Sequence, residues 1–108
     1  MSHVTTHVLD AALGRPARGI PVALENSEGH LVATGETDAD GRVTDLGPDA
    51  LEAGFYRITF DTAGYFAAAQ TPTFYPRVVI DFELEDVTSH YHVPLLLSPF
   101  AYSTYRGS

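Results

Sequence analysis

The residues of this sequence best suited to proton transfer near neutral pH are its histidines, because an unperturbed imidazole titrates near pH 6.5. No cysteine competes with them as a nucleophile or as a thiolate ligand. A histidine in a small protein is most often a solvated surface residue, so its position relative to the core decides what it can do. The five histidines are His3, His7, His30, His90 and His92.

Two of these histidines, His7 and His92, fall on strand faces that point away from the expected core. Side chains alternate between the two faces of a strand, so Val4 and Val8 would share a face opposite His7. Near the end of the chain, His90 and His92 alternate with an apolar set in the same way. Both strands therefore present imidazoles on an outward face. The apolar set is Tyr91, Val93 and Leu95.

A metal site is a second interpretation of these residues. Residues two apart on a strand point the same way, so His90 and His92 could bind zinc beside a third ligand such as His7. Any His-x-His strand meets this condition, however. The segment 38–41 opens like a calcium loop, but Asp49 stands where the closing glutamate is expected. A polar turn explains that segment, and we expect neither a metal ion nor another cofactor.

The last seven residues, 102–108, carry an unusual set of side chains for a chain end. They include two tyrosines, an arginine and three hydroxyl residues. The segment could form an edge strand whose polar side chains discourage aggregation. It could equally line a polar pocket, with donors suited to a planar, oxygen-rich heterocycle. The composition of the segment favours neither interpretation.

Length, charge and hydropathy exclude several classes of protein. The 108 residues suffice for one core, so we expect a single domain over residues 1–108. All six basic residues are arginine, against fourteen acidic residues. The resulting net charge of −8 disfavours nucleic-acid binding. No apolar run approaches the ~20 residues of a membrane span, and no signal segment is visible. We expect a cytoplasmic protein whose partners are small molecules or copies of itself.

Alternating apolar residues predict an antiparallel β-sandwich. One alanine-rich segment, 61–70, departs from the alternation and predicts a short helix between two strands. Its N-cap would be Asp61 or Thr62, and it would end before Thr71, which precedes a proline. The alternating segments are 20–24, 55–60, 77–84 and 90–95, and turn-forming residues occupy 26–29, 38–41 and 47–49.

Four stretches of the sequence together resemble the 5-hydroxyisourate hydrolases, the transthyretin-related enzymes of urate breakdown. The resemblance covers essentially the whole chain. Its most specific part is the combination of HVLD at 7–10 with the terminal YRGS at 105–108. The terminal YRGS is also what separates the hydrolases from the thyroid-hormone carrier transthyretin. The four stretches are THVLD (6–10), GRPA (14–17), DADGR (38–42) and HYHVPLLLSPF (90–100) continuing to the terminal YRGS.

The resemblance implies a transthyretin-like β-sandwich of two four-stranded sheets with one short α-helix. It also implies a homotetramer made of two stacked dimers, with active sites in the channel between them. His90 lies in the same motif as His92 and is a weaker candidate than the family's functional positions. Those positions, carried over residue by residue, are His7, Arg42 and His92 for catalysis and Tyr105 and Ser108 for substrate binding.

These groups suit hydrolysis of an amide-like ring bond in 5-hydroxyisourate, which yields 2-oxo-4-hydroxy-4-carboxy-5-ureidoimidazoline in purine degradation. A neutral imidazole of His7 or His92 would take a proton from water, and either could be the base. Arg42 would stabilise charge on the carbonyl oxygen. The alternative function is a non-catalytic, transthyretin-like carrier of a small aromatic ligand. Two histidines and an arginine in the channel speak against it.

Overall fold

Two β-sheets pack face to face in the computed structural model, which describes residues 2–108. The first sheet has the order β2-β1-β8-β9, with β5 paired to β1 as well, and the second has the order β4-β3-β6-β7. The predicted transthyretin-like fold class is confirmed, with the two-residue β5 as an addition to the first sheet. The elements are β1 Val4–Asp10, β2 Arg15–Pro16, β3 Pro21–Asn26, β4 Leu31–Glu36, β5 Arg42–Val43, β6 Gly54–Phe60, α1 Ala63–Ala68, β7 Val78–Leu84, β8 Tyr91–Leu97 and β9 Tyr102–Thr104.

The core between the sheets follows the alternation in the sequence. Alternate residues of β1, β6, β7 and β8 are mostly buried, and each buried aliphatic or aromatic side chain contributes about 1.5–3 kcal/mol to folding. The intervening residues of β1 and β8 face outward from the first sheet, as the parity of the sequence predicts. The fully buried side chains include Val4, Val8 and Leu95 of the first sheet and Leu24, Ile58 and Phe60 of the second.

The helix is shorter than the predicted segment 61–70. It covers Ala63–Ala68, and Thr62 occupies the N-cap position without capping through its side chain. The Thr62 hydroxyl instead donates to the carbonyl of Tyr75 at 2.8 Å. At the other end, Gln70 has a φ of 53° and stops the helix before Thr71. No helix within residues 2–108 is long and apolar enough to cross a membrane.

Strand β1 brings together parts of the chain that are far apart in sequence. It pairs in parallel with β8, which sets Thr5 opposite His92. On its other edge it pairs antiparallel with β5, which sets His7 opposite Arg42. Directly opposed residues of neighbouring strands point to the same side of a sheet. The pairing therefore gathers these four side chains on the outward face of the first sheet.

Candidate active site

A cavity of about 240 Å³ opens on the outward face of the first sheet. It is smaller than the roughly 300–1,000 Å³ pockets of drug-sized ligands, and so suits a small molecule. Three of the five residues predicted for the site line it, and His7 neighbours it through its pairing with Arg42. The lining residues are Thr5, Arg42, Thr44, His90, His92 and Ser108.

The hydroxyl of Thr5 connects the two histidines of this cavity. Its Oγ1 lies 2.8 Å from Nδ1 of His92 and 2.8 Å from Nε2 of His90. Thr5 itself is buried, whereas His90 is exposed. Within residues 2–108, the remaining nitrogen of His92, Nε2, makes no hydrogen bond. His92 is thus held through one nitrogen and has the other free for a ligand or water.

The surroundings of His92 favour its neutral form. Burial lowers the pKa of His92, and the positive charges of Arg42, His7 and His90 lower it further. Interaction with the backbone of Thr5 opposes this shift of the pKa without reversing it. A neutral imidazole retains a lone pair at neutral pH, which a general base requires.

His7 is oriented by the loop that precedes β5. Its Nε2 lies 2.8 Å from the carbonyl oxygen of Asp40. A carbonyl can only accept a hydrogen bond, so Nε2 of His7 carries the proton and donates it. When the ring is neutral, Nδ1 is therefore an acceptor, and no group within the described residues 2–108 donates to it. The orientation of His7 leaves Nδ1 able to accept a hydrogen bond from water or substrate.

The carboxylate of Asp38 shapes the loop that carries Asp40 and Arg42. It accepts hydrogen bonds from the backbone N–H groups of Asp40 at 2.8 Å and Arg42 at 3.0 Å. The hydrogen bond from Arg42 is the main reason that the pKa of Asp38 is lowered. Gly41 has a φ of 75°, and a Cβ there would collide with the carbonyl of Val8. The segment 38–41 is thus a tight turn docked on β1.

The side chain of Arg42 is free to meet a ligand. It is exposed, and it makes neither a hydrogen bond nor an ion pair within residues 2–108. Arg57, by contrast, is paired with Asp81 at 2.8 Å. The guanidinium of Arg106 lies 4.3 Å from the ring centroid of Tyr91. An unpaired guanidinium beside a neutral imidazole can stabilise negative charge that develops on an oxygen.

The C-terminal segment combines both interpretations of its sequence. Residues Tyr102–Thr104 form the edge strand β9, and the N–H of Gly107 then donates to the carbonyl of His92 at 2.8 Å. Ser108 lines the cavity beside His92. Tyr105 instead lines an adjoining cavity of about 260 Å³ between β7 and the β8–β9 pair, which His92 also borders. The structure therefore does not bring Tyr105 into the cavity of Arg42 and Ser108.

In the part of the chain that the structure describes, no cluster of side chains supports the metal interpretation. Among residues 2–108, no three histidine or carboxylate side chains are placed to hold a metal ion. His90 and His92 direct nitrogens at the hydroxyl of Thr5, and Nε2 of His7 is bound to a carbonyl. The turn at 38–41 uses the Asp38 carboxylate for its own backbone.

Comparison with known proteins agrees with this geometry. The family model described as HIUase/Transthyretin family matches residues 4–107. The chain belongs to the HIUase/Transthyretin family. The resemblance found in the sequence motifs is confirmed, since the match includes both the first strand and the C-terminal segment.

Members of the family with high similarity include proteins named as hydrolases. 5-Hydroxyisourate hydrolase 2 of Rhizobium meliloti is 49% identical, over 97% of this chain and 95% of its own length. The structure of 5-hydroxyisourate hydrolase from Klebsiella pneumoniae superposes with a TM-score of 0.89 at 38% identity, covering 97% of this chain and 98% of that one. Sea bream transthyretin in complex with thyroxine gives a TM-score of 0.89 at 32% identity, covering 96% and 93%.

The sequence alone does not predict the contacts that Thr5, Asp38 and Asp40 make in this site. Thr5 shares the outward face of β1 with His7 by strand parity, but its contact with both histidines depends on strand pairing. Asp38 and Asp40 were read as a turn, whereas they also orient His7 and Arg42. The DADGR motif at 38–42 was the available signal for this second role.

Proposed function

We propose that this chain hydrolyses 5-hydroxyisourate. The observation that carries the proposal is the small cavity in which the neutral imidazole of His92 and the unpaired guanidinium of Arg42 meet. Such a cavity offers a base and a charge stabiliser to one bound molecule. The names of the hydrolase relatives, one of them 49% identical, support this choice of substrate.

His92 is the base in the proposed mechanism. Its Nε2 takes a proton from water as the water attacks the carbonyl of an amide-like bond in the six-membered ring. General base catalysis of this kind contributes about 10²–10⁴-fold. His7 accepts a hydrogen bond from the same water at Nδ1 and orients it. The carbon–nitrogen bond then breaks, the nitrogen is protonated, and 2-oxo-4-hydroxy-4-carboxy-5-ureidoimidazoline is formed.

Arg42 stabilises the carbonyl oxygen as it gains negative charge. Its planar guanidinium offers several N–H donors and keeps its charge at all relevant pH values. Because these donors are unpaired in the described chain, they need not break an existing ion pair to reach the substrate. The hydroxyl of Ser108 holds the polar rim of the substrate in the same cavity. Within one chain, Tyr105 lines the adjoining cavity beside His92 and not the cavity that holds the substrate.

The proposed enzyme is a homotetramer. The face of the first sheet that carries the site is open in one chain, and Leu13 in the turn between β1 and β2 is 57% exposed. Strand β9 lies at one edge of the first sheet and β7 at one edge of the second, and both edges are open to pairing with another chain. Closed symmetric association would cover such surfaces. Light scattering should therefore give four times the 11.7 kDa mass of one chain. The mass of a monomer at micromolar concentration would contradict this assembly.

A carrier of a small aromatic ligand is the second candidate. The observation in its favour is the likeness to transthyretin in complex with thyroxine. The two candidates differ in one assay, in which the ultraviolet absorbance of freshly generated 5-hydroxyisourate is followed with and without the protein. A hydrolase accelerates the decay catalytically. A decay no faster than the spontaneous one, together with saturable binding of thyroxine, would establish the carrier instead.

A further inference from the structure

One hydroxyl group in the site lies between two imidazoles. Oγ1 of Thr5 is 2.8 Å from Nδ1 of His92 and 2.8 Å from Nε2 of His90. A hydroxyl has one proton to donate, and a neutral imidazole has one donor and one acceptor nitrogen. Thr5 can therefore donate to one ring while it accepts from the other. As a result, when the nitrogen of one ring accepts from Thr5, the nitrogen of the other ring must donate to it, and this couples the tautomers of the two rings.

The two ends of this chain of hydrogen bonds differ in their access to solvent. Thr5 is 7% exposed and His92 is half-buried, whereas His90 is exposed. Nδ1 of His92 faces the hydroxyl of buried Thr5, so a proton on this nitrogen can leave it only through Thr5. We propose that Thr5 and His90 form a relay that carries protons between His92 and solvent. This inference rests on the proposed role of His92 as the base.

The outward transfer moves one proton at each link. At the start, Nδ1 of His92 donates to Thr5, the Thr5 hydroxyl donates to Nε2 of His90, and Nε2 of His92 is unprotonated. Water gives a proton to Nε2 of His92. The Nδ1 proton then passes to Oγ1, and the original hydroxyl proton passes to His90. The resulting imidazolium of His90 loses its Nδ1 proton to solvent, so one proton enters and one leaves.

The return transfer resets the site. His92 now carries its proton on Nε2 and gives it to the leaving nitrogen of the opened ring. As that proton leaves Nε2, the Thr5 proton moves to Nδ1 of His92 in the same step, so His92 stays neutral; the Nε2 proton of His90 moves to Thr5, and His90 takes a proton from solvent at Nδ1. Both rings recover their starting tautomers. The carboxylic acid of the product releases its own proton.

Hydrogen bonds fix the loop that precedes His90 and β8. The carboxylate of Asp86 accepts hydrogen bonds from the N–H of Thr88 at 2.9 Å, its hydroxyl at 2.6 Å, and the hydroxyl of Ser89 at 2.8 Å. The hydrogen bonds from Thr88 are the main reason that the pKa of Asp86 is lowered to about 2. The carbonyl of Ser89 accepts a hydrogen bond from the buried His3 at 2.7 Å.

The kinetic test removes the middle of the relay in one variant and its solvent-exposed end in another. Thr5→Val keeps the shape of the side chain without its hydroxyl, and His90→Gln keeps a polar group that cannot take up a proton. In dilute buffer we expect kcat to fall about ten-fold or more in each variant, since assisted proton transfer contributes at least this much. KM should stay near its wild-type value, and added imidazole should restore kcat by replacing the relay. Thr5→Ser should retain activity, and His30→Gln, on the distant β3–β4 turn, is the matched control.

Two outcomes would overturn the relay. One is a wild-type kcat in both variants at low buffer concentration. The other is a loss that added imidazole does not repair, because that loss would reflect packing alone. Nitrogen NMR of the rings tests the coupling without substrate: His90→Gln should alter the tautomer of His92, and an unaltered tautomer would count against it. If the wild-type chain does not accelerate hydrolysis, the proposed function fails, and the NMR result still decides whether Thr5 couples the rings.

Discussion

The backbone of Gly107 lies directly against the imidazole ring of His92. A Cβ at position 107 would stand 2.6 Å from Cδ2 of His92 and 3.2 Å from Cγ of Pro94. The N–H of Gly107 also donates to the carbonyl of His92 at 2.8 Å. The C-terminal segment thus fixes both the backbone of His92 and the plane of its ring, and a side chain at position 107 has no room unless the ring moves.

Replacing Gly107 with alanine should therefore damage catalysis more than stability. The added methyl group displaces the ring of His92, and a misplacement of about 1 Å at a reacting group can cost ~10²-fold. We expect kcat/KM to fall roughly ten- to a hundred-fold while the melting temperature changes little. Gly64→Ala is the matched control, because no atom lies within 4 Å of its added Cβ. Equal activity of the two variants would show that the contact with His92 is unimportant.

The activity should depend on pH through His92. Burial, followed by the charges of Arg42, His7 and His90, lowers its pKa, so the neutral base persists below the usual imidazole range. As the pH falls, the inflection of kcat/KM should come below the ordinary imidazole value of about 6.5. A pH profile of kcat/KM between about pH 4.5 and 8 measures this. An inflection at or above pH 7, or no inflection at all, would contradict the assignment of His92 as base.

Removing the guanidinium of Arg42 should have two separable effects. Arg42→Gln removes charge stabilisation from the transition state, and the loss of one such donor costs about 10²–10³ in kcat. It also removes a positive charge that lowers the pKa of His92, so the inflection of the pH profile should move to higher pH. Arg77→Gln is the control, since Arg77 is exposed and remote from the cavity. A lower rate with an unchanged inflection would show that the charge of Arg42 does not influence the pKa of His92.

Truncation after Thr104 tests the C-terminal segment as a whole. It removes Ser108 from the cavity, the contact of Gly107 with His92, and the guanidinium of Arg106 from the ring of Tyr91. The core strands remain, so circular dichroism should report a folded protein. Lost hydrogen bonds at ~0.5–1.5 kcal/mol each predict a fall in activity of roughly ten-fold to a few hundred-fold. Full activity in the truncated protein would show that these residues position neither His92 nor the substrate.

Much of the fold could be predicted from local pattern, because alternation determines which face of a strand is buried. Ile58 and Leu95 lie in the core on this basis, and His7 faces outward. The alternation does not predict which strands pair, because pairing depends on packing between distant segments. The two-residue strand β5 has no periodicity of its own and exists because Arg42 and Val43 pair with β1. The helix begins after Thr62, as predicted, and is shorter at its C-terminal end, where Gln70 has a φ of 53°.

The candidate site was predictable in its residues and less so in its contacts. The motifs identified His92, Arg42 and Ser108, which share one cavity. They also identified Tyr105, which lies in the adjoining cavity, and nothing in the sequence indicates on which side of His92 the chain passes. The contact of Thr5 with two histidines joins residues about 85 positions apart, so it follows only from the parallel pairing of β1 with β8.

The most direct test of the proposed mechanism compares the wild-type protein with His92→Asn in the decay of freshly generated 5-hydroxyisourate. Asparagine keeps a polar side chain but cannot take a proton from water, so kcat should fall about 10²–10⁴-fold. This loss should exceed that of the truncation, which removes positioning and leaves the base. A wild-type rate well above the spontaneous one, with His92→Asn close to the spontaneous one, is the predicted result. A variant that retains the wild-type rate would contradict the assignment of His92 as the base.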